Sequence, residues 1–218
     1  MTLAPYDAPY DAVVFDLDGT LVDTETLYRQ AFMEAAASLG FVMAADRYAG
    51  LIGIASRERA PLLLAAFGAG FPLEAFFTAY RARRAMLLGA GVPVRAGAAS
   101  LLRRLAVPKA VATSASRPTA SAHLRRTGLA GHFMHVVTRD DVTRGKPAPD
   151  VFLLAARRLG VAPARCIAVE DSPPGAAAAR AAGMRVVLVG AEGCRDLLAV
   201  AGLLLPGTHG NVHSLTAM

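Results

Sequence analysis

The segment Ala12-Val-Val-Phe-Asp16-Leu-Asp18-Gly-Thr20-Leu-Val-Asp23 decides the predicted fold, because an apolar run leads directly into a group of carboxylates. The stretch 12–16 is predicted to be a buried β-strand that ends in a carboxylate. Gly19 permits a tight turn, so that the carboxylates of Asp16 and Asp18 can face one point. The first can attack phosphorus when a cation neutralises the negative charges, and the second can exchange a proton with the leaving oxygen. Taken alone, the segment is also compatible with an acidic surface turn.

Further strands are predicted at 109–113, 134–138, 166–170 and 185–189, and helical patterns lie between several of them. Strands that alternate with helices indicate βαβ units and a parallel sheet. Ligands of such folds bind outside the carboxyl ends of the strands. Asp16, Glu170 and Asp171 all fall at predicted strand ends, so we expect them to meet at one edge of the sheet.

The region after the first strand has a different pattern. Amphipathic helical patterns cover 24–40, 56–68 and 73–89, with no convincing strand between them. We therefore predict an all-helical cap at 24–92, inserted into an α/β core that comprises 1–23 and 93–218.

Three more segments follow predicted strands or precede helices, and each has an alternative explanation. The hydroxyl and backbone N–H groups of 113–116 can hold phosphate oxygens, or the segment can simply cap a helix. Lys146, in a loop rich in proline and glycine, can bind phosphate as a point charge, or it can be a solvated loop residue. The adjacent acids Glu170 and Asp171 indicate a hard cation such as Mg²⁺; the alternative, Asp171 as the N-cap of the following helix, accounts for only one of the two acids.

In this order, the four segments resemble the four motifs of the haloacid dehalogenase superfamily, in the branch that contains sugar-phosphate phosphatases and β-phosphoglucomutase. The resemblance spans about Val13 to Val189. It implies a Rossmann-like, doubly wound parallel sheet and a helical cap between the first and second motifs. It also implies phosphate-ester hydrolysis through an aspartyl-phosphate, with Mg²⁺ as cofactor.

The resemblance also implies a role for each matching residue. Asp16 matches the nucleophile, Asp18 the general acid/base and Lys146 the orienting lysine. Asp171 matches a metal ligand, together with the Asp16 carboxylate and the Asp18 backbone carbonyl, and Glu170 lies in or just outside the coordination shell. The residues expected to bind substrate are Thr20, Ser114, Ala115, Ser116 and, in the cap, Arg57.

Other members of the superfamily provide the competing hypotheses. Dehalogenases lack an acid at the position of Asp18, and phosphonatases need a cap lysine, which 24–92 does not contain. A phosphosugar mutase is the main alternative, because Arg57 lies in a segment similar to its distal-phosphate motif. A phosphatase is favoured because Tyr28 stands where the mutase has its hinge histidine and because Thr20 follows Gly19 where the mutase has a small apolar residue. A catalytically silent binding protein on the same fold is the third hypothesis.

Composition sets the remaining expectations. The formal net charge is +6, but no block of like charges is present, so we expect a small phosphorylated metabolite as partner and no nucleic acid. No apolar run is long enough to cross a bilayer, and Met1 to Tyr10 does not read as a signal peptide. With only Cys166 and Cys194, a disulfide framework is not indicated. We expect a cytoplasmic monomer, with a dimer as the alternative.

Overall fold

The computed structural model describes residues 9–44, 48, 51, 56–190 and 196–205; the side chains of 56–58 are not part of that description. The β-strands are β1 (Ala12–Phe15), β2 (Lys109–Ala112), β3 (His135–Val137), β4 (Cys166–Glu170) and β5 (Arg185–Leu188). The α-helices are α1 (Thr24–Ser38), α2 (Ser56–Phe67), α3 (Leu73–Ala90), α4 (Ala98–Arg104), α5 (Arg117–Arg126), α6 (Asp150–Leu159), α7 (Pro173–Ala181) and α8 (Leu197–Leu204). No helix among the described residues has both the length and the apolar character that a membrane span requires.

The strands form one parallel sheet in the order β3-β2-β1-β4-β5. The predicted α/β fold with a doubly wound parallel sheet is therefore confirmed. The chain builds outward from β1 to β3 on one side and from β4 to β5 on the other, so the winding direction reverses between β1 and β4. In such sheets ligands bind in the crevice outside the carboxyl ends of the strands at the reversal. Asp16 and Glu170 lie at those ends.

The centre of the sheet is held by small and branched apolar side chains. All four residues of β1 and all five of β4 are buried, as expected for strands covered on both faces. On one face, Val14 of β1 and Ala168 of β4 share a core with Phe152 of α6 and Ala178 of α7. This packing fixes the strand ends that carry the acidic side chains.

The chain divides into two compact units, Met1–Asp23 with Pro93–Met218, and Thr24–Val92. Within the second unit, α1 packs against α3 around an aromatic cluster. The ring of Phe32 contacts those of Tyr48, Phe76 and Tyr80 at centroid distances of 5.2, 4.8 and 5.6 Å. Aromatic pairs at these spacings stabilise the core of this helical unit, which Leu63 and Phe71 extend.

Candidate active site

The centre of the site is a buried lysine between two buried carboxylates. Lys146 Nζ lies 2.5 Å from Asp16 Oδ1 and 2.5 Å from Glu170 Oε1. The three side chains are 5%, 9% and 0% exposed. Phe152 of α6 supports the ammonium, whose nitrogen is 5.0 Å from the ring centroid. The loop before α6 thus places Lys146 at the ends of β1 and β4, although it lies far from both in sequence.

Glu170 uses both of its carboxylate oxygens within the protein. Oε1 accepts from Lys146, while Oε2 accepts from the backbone N–H groups of Asp171 and Ser172 and from the Ser172 hydroxyl at 2.9–3.0 Å. Ser172 is also the N-cap of α7, since its side chain accepts from the Gly175 N–H. The alternative in which Asp171 caps this helix is therefore wrong, because the neighbouring serine performs that function.

Asp171 is held at the edge of the site by the loop that follows β1. The hydroxyl of Thr20 donates to Asp171 Oδ1 at 3.0 Å. Gly19 has a φ of +89°, and a Cβ there would collide with the Asp171 carboxylate. Arg95 Nε donates to the Gly19 carbonyl at 2.8 Å and fixes the turn from the other side. The loop after β1 therefore places its glycine directly against the carboxylate that follows β4.

Carboxylates outnumber the single ammonium in this cluster. Asp16, Glu170 and Asp171 each offer an oxygen, and these oxygens all lie within 4.8 Å of one another. Burial raises the pKa of Asp16 well above its ordinary value; Lys146 opposes this effect, and the other two carboxylates reinforce it. Burial and the Glu170 charge raise the pKa of Asp171 to about 6.

Burial by itself would lower the pKa of Lys146, but the charges and hydrogen bonds of Asp16 and Glu170 together outweigh burial, so this pKa is raised. The lysine therefore stays cationic but compensates only part of the negative charge. A cluster of carboxylate oxygens with excess negative charge is the donor set that a hard divalent cation such as Mg²⁺ prefers. The residues present fit such an ion.

Asp18 has a neighbour that sequence reasoning missed. His123 of α5 is 2% exposed, and its Nδ1 lies 3.2 Å from Asp18 Oδ1. The buried face of α5 consists of His123 with Ala120 and Leu124, at the spacing of one helical stripe. A histidine on an otherwise apolar stripe is the signal that could have indicated a buried polar partner.

The predicted phosphate-binding residues 114–116 differ from one another in their hydrogen bonds. Ser114 is exposed at the end of β2, and Ser116 is also exposed, with its hydroxyl 3.0 Å from that of Thr119. The backbone N–H of Ala115 instead donates to Thr113 Oγ1 at 3.0 Å, which closes the turn. Both serines are therefore exposed, but the Ser116 hydroxyl is paired with Thr119 and the Ala115 N–H is engaged in the turn.

Two other predicted substrate ligands need comment. Thr20 is fully buried and its hydroxyl is committed to Asp171, so its position suits the support of a carboxylate better than direct contact with substrate. Arg57 belongs to α2, but its side chain lies outside the described residues.

Known proteins share this fold and sequence pattern. The family model for haloacid dehalogenase-like hydrolases matches residues 10–183. The phosphorylated carbohydrates phosphatase of Thermotoga maritima is 33% identical over 80% of this chain and 82% of its own. The fructose-1-phosphate phosphatase YqaB of Escherichia coli is 35% identical over 82% of this chain and 95% of its own.

A solved structure extends the similarity over nearly the whole chain. A HAD family hydrolase from Deinococcus radiodurans, crystallised with bound phosphate and sodium, is 32% identical, with a TM-score of 0.75. The match covers 92% of this chain and 100% of that one. This chain therefore belongs to the haloacid dehalogenase-like hydrolase family.

Proposed function

We propose that the protein is a magnesium-dependent phosphatase that hydrolyses small, sugar-phosphate-like monoesters through an aspartyl-phosphate on Asp16. The observation that carries this proposal is the position of Lys146, 2.5 Å from both Asp16 and Glu170 at the reversal of the sheet. The names of two relatives, which are phosphatases of phosphorylated carbohydrates and of fructose 1-phosphate, support the substrate class.

In the first step the Asp16 carboxylate attacks phosphorus. Lys146 holds Oδ1, which leaves Oδ2 of Asp16 to form the new bond to phosphorus while the bond from phosphorus to the leaving oxygen breaks. Asp18 is positioned to give a proton to that oxygen, so that the product leaves as an alcohol. In the second step Asp18 takes a proton from water, which attacks the phosphorus and frees the Asp16 carboxylate as inorganic phosphate forms.

Asp16, Asp171 and the Asp18 backbone carbonyl would hold Mg²⁺, with Glu170 just outside because its oxygens already bind Lys146 and Ser172. When bound, the ion neutralises the charges of the phosphate and of the attacking carboxylate. We assign Thr20 to the support of Asp171. The hydroxyls of Ser114 and Ser116 remain the proposed donors to the phosphate.

We propose that the helical unit 24–92 acts as the cap and that water, rather than a sugar phosphate, accepts the phosphoryl group. Tyr28 takes the place of the mutase's hinge histidine, and its ring lies 5.2 Å from the guanidinium carbon of Arg84. A tyrosine in this setting does not supply the protonated imidazole that a mutase couples to closure. The phosphosugar mutase therefore remains the less supported candidate.

A panel of phosphorylated metabolites tests the proposal through release of inorganic phosphate with Mg²⁺ and after chelation. We expect turnover of sugar phosphates with Mg²⁺, little after chelation, and a loss of at least about 10³-fold in Asp16→Asn. Asp11→Asn is the matched control, because Asp11 precedes the same strand but pairs with Arg165 on the surface. Binding of phosphorylated ligands without any turnover would instead indicate the silent binding protein, and faster formation of an isomerised sugar phosphate than of free phosphate would indicate the mutase.

A further inference from the structure

His123 is the one buried imidazole that faces the proposed proton-transfer residue among the residues that the structure describes. Its Nδ1 and Asp18 Oδ1 are 3.2 Å apart, and both atoms are buried. Neither has an aligned hydrogen bond to any other described residue. Each is therefore the nearest partner that the other has.

The chemistry of the pair fixes the direction of the interaction. A carboxylate oxygen is an acceptor, so an imidazole nitrogen beside it is stable only when that nitrogen carries a hydrogen. The neutral Nδ1–H form of His123 satisfies this condition as well as the cationic form does. The contact lacks hydrogen-bond alignment in this ligand-free state, as catalytic pairs often do before substrate binds. The terminal torsion of Asp18 is soft, so its carboxylate can turn relative to the imidazole at little cost in energy.

Packing alone gives no reason for a histidine at this position. The other buried side chains of α5 are Ala120 and Leu124, and a leucine at 123 would extend the same apolar stripe. Placing an imidazole there costs free energy unless its polar atoms find partners. Asp18 is the partner that the structure provides.

We propose that His123 is a positioning residue: its Nδ1–H holds Oδ1 of Asp18, so that Oδ2 faces the leaving oxygen and, later, the attacking water. This inference rests on the proposed role of Asp18 as acid and base. Oδ1 is the acceptor whether Asp18 is protonated on Oδ2 or ionised, so one contact serves both steps without any change in the charge of His123. The proton moves only between Asp18 and the substrate or water.

The test compares substrates that differ in their need for an acid. Nitrophenolate leaves without protonation, whereas phenolate is a poorer leaving group, and kcat/KM reports the steps up to loss of the leaving group. We expect His123→Leu to lower kcat/KM for phenyl phosphate about tenfold more than for p-nitrophenyl phosphate, since it removes a hydrogen bond to the carboxyl group that becomes negative as Asp18 gives its proton to the leaving oxygen. His123→Asn, whose amide nitrogen reaches the place of Nδ1, should restore most of the ratio.

Controls separate this inference from the proposed function. Asp18→Asn is measured in parallel and should show the same preference for the better leaving group, more strongly. If Asp18→Asn shows the preference and a folded His123→Leu does not, the inference about His123 is wrong and the proposed function stands. If Asp18→Asn shows none, the role of Asp18 as the acid is wrong and the inference about His123 fails with it, whereas the proposed phosphatase function is judged separately by the release of phosphate with Mg²⁺. Thermal unfolding shows whether each variant is folded. If the leucine variant does not fold, His123→Gln replaces it, because the longer amide side chain misses the Nδ1 position. A wild-type ratio of the two kcat/KM values in His123→Gln would overturn the proposal.

Discussion

Gly175 offers a sharp test of how Glu170 is held. It is a buried residue in the first turn of α7, and its φ is not in the left-handed region, so alanine meets no backbone strain. A Cβ built there would overlap all three atoms of the Glu170 carboxyl group. Gly175→Ala must therefore displace either α7 or the carboxylate that binds Lys146.

The size of the effect follows from the contacts that Glu170 makes. Its carboxylate is fully buried and binds Lys146, two backbone N–H groups and the Ser172 hydroxyl. Overpacking costs about 1–3 kcal/mol, and breaking a buried ion pair about 3–5 kcal/mol. A partial shift of α7 lowers the cost of overpacking but weakens the contacts of Glu170. We therefore expect an intermediate loss of about 3 kcal/mol in the free energy of unfolding. For a chain of this size, that loss lowers the melting temperature by roughly 6–12 °C.

Gly89→Ala is the matched control. Gly89 also lies inside a helix, α3, but no atom of the described residues lies within 4 Å of the Cβ that alanine would add. Because alanine favours a helix over glycine by about 1 kcal/mol, the control should be neutral or more stable than wild type. Thermal unfolding and phosphate release are measured for both variants. If Gly175→Ala unfolds at the wild-type temperature with wild-type activity, Glu170 is not confined as we describe.

Two further predictions concern other contacts of the site and its surroundings. Thr20→Val removes the donor to Asp171 and should raise the Mg²⁺ concentration for half-maximal activity about 10- to 100-fold. Ser38→Ala, which removes a hydroxyl contact within α1, should leave that concentration unchanged. Partial burial raises the pKa of Asp141, but hydrogen bonds from Thr138 and two arginines outweigh burial and hold this pKa below its ordinary value. The ionised form of Asp141 therefore stabilises the fold above about pH 4, and this stabilisation is lost as the pH falls further. The difference in unfolding midpoint between wild type and Asp141→Asn should therefore shrink from pH 7 toward about pH 3; a difference that is constant with pH would contradict this account.

The sheet was largely predictable because its strands combine burial with a chemical marker at one end. β1 is a short apolar run that Asp16 follows directly, and β4 is one that ends in Glu170; the structure places the ends of both strands within a residue of the predicted ones. The strand order was not predictable, because the pairing of β1 with β4 depends on packing between segments far apart in sequence. Local patterns indicate that strands are parallel but not which strands are neighbours.

The site shows the same limit at the level of side chains. Residue type and order were enough to select Asp16, Lys146 and Asp171, because each lies at the end of a strand or just before a helix. The hydrogen-bond partner of a polar group was not predictable, because it depends on which residues come together in three dimensions. The Thr20 hydroxyl faces Asp171, and His123 faces Asp18 across more than a hundred residues. Neither contact leaves a local signature stronger than a polar residue in apolar surroundings.

The most direct measurement of the central claim is chemical trapping of the phosphorylated enzyme. The protein is mixed with Mg²⁺ and a sugar phosphate that it hydrolyses, and the reaction is quenched in acid within one turnover. Reduction with borohydride then converts an aspartyl-phosphate to homoserine. Peptide mass spectrometry should then locate homoserine at position 16, in an amount that rises and decays with the burst of product, and the modification should be absent without substrate. Phosphate release at the full rate with Asp16 unmodified throughout, or with the modification at another carboxylate, would contradict the account.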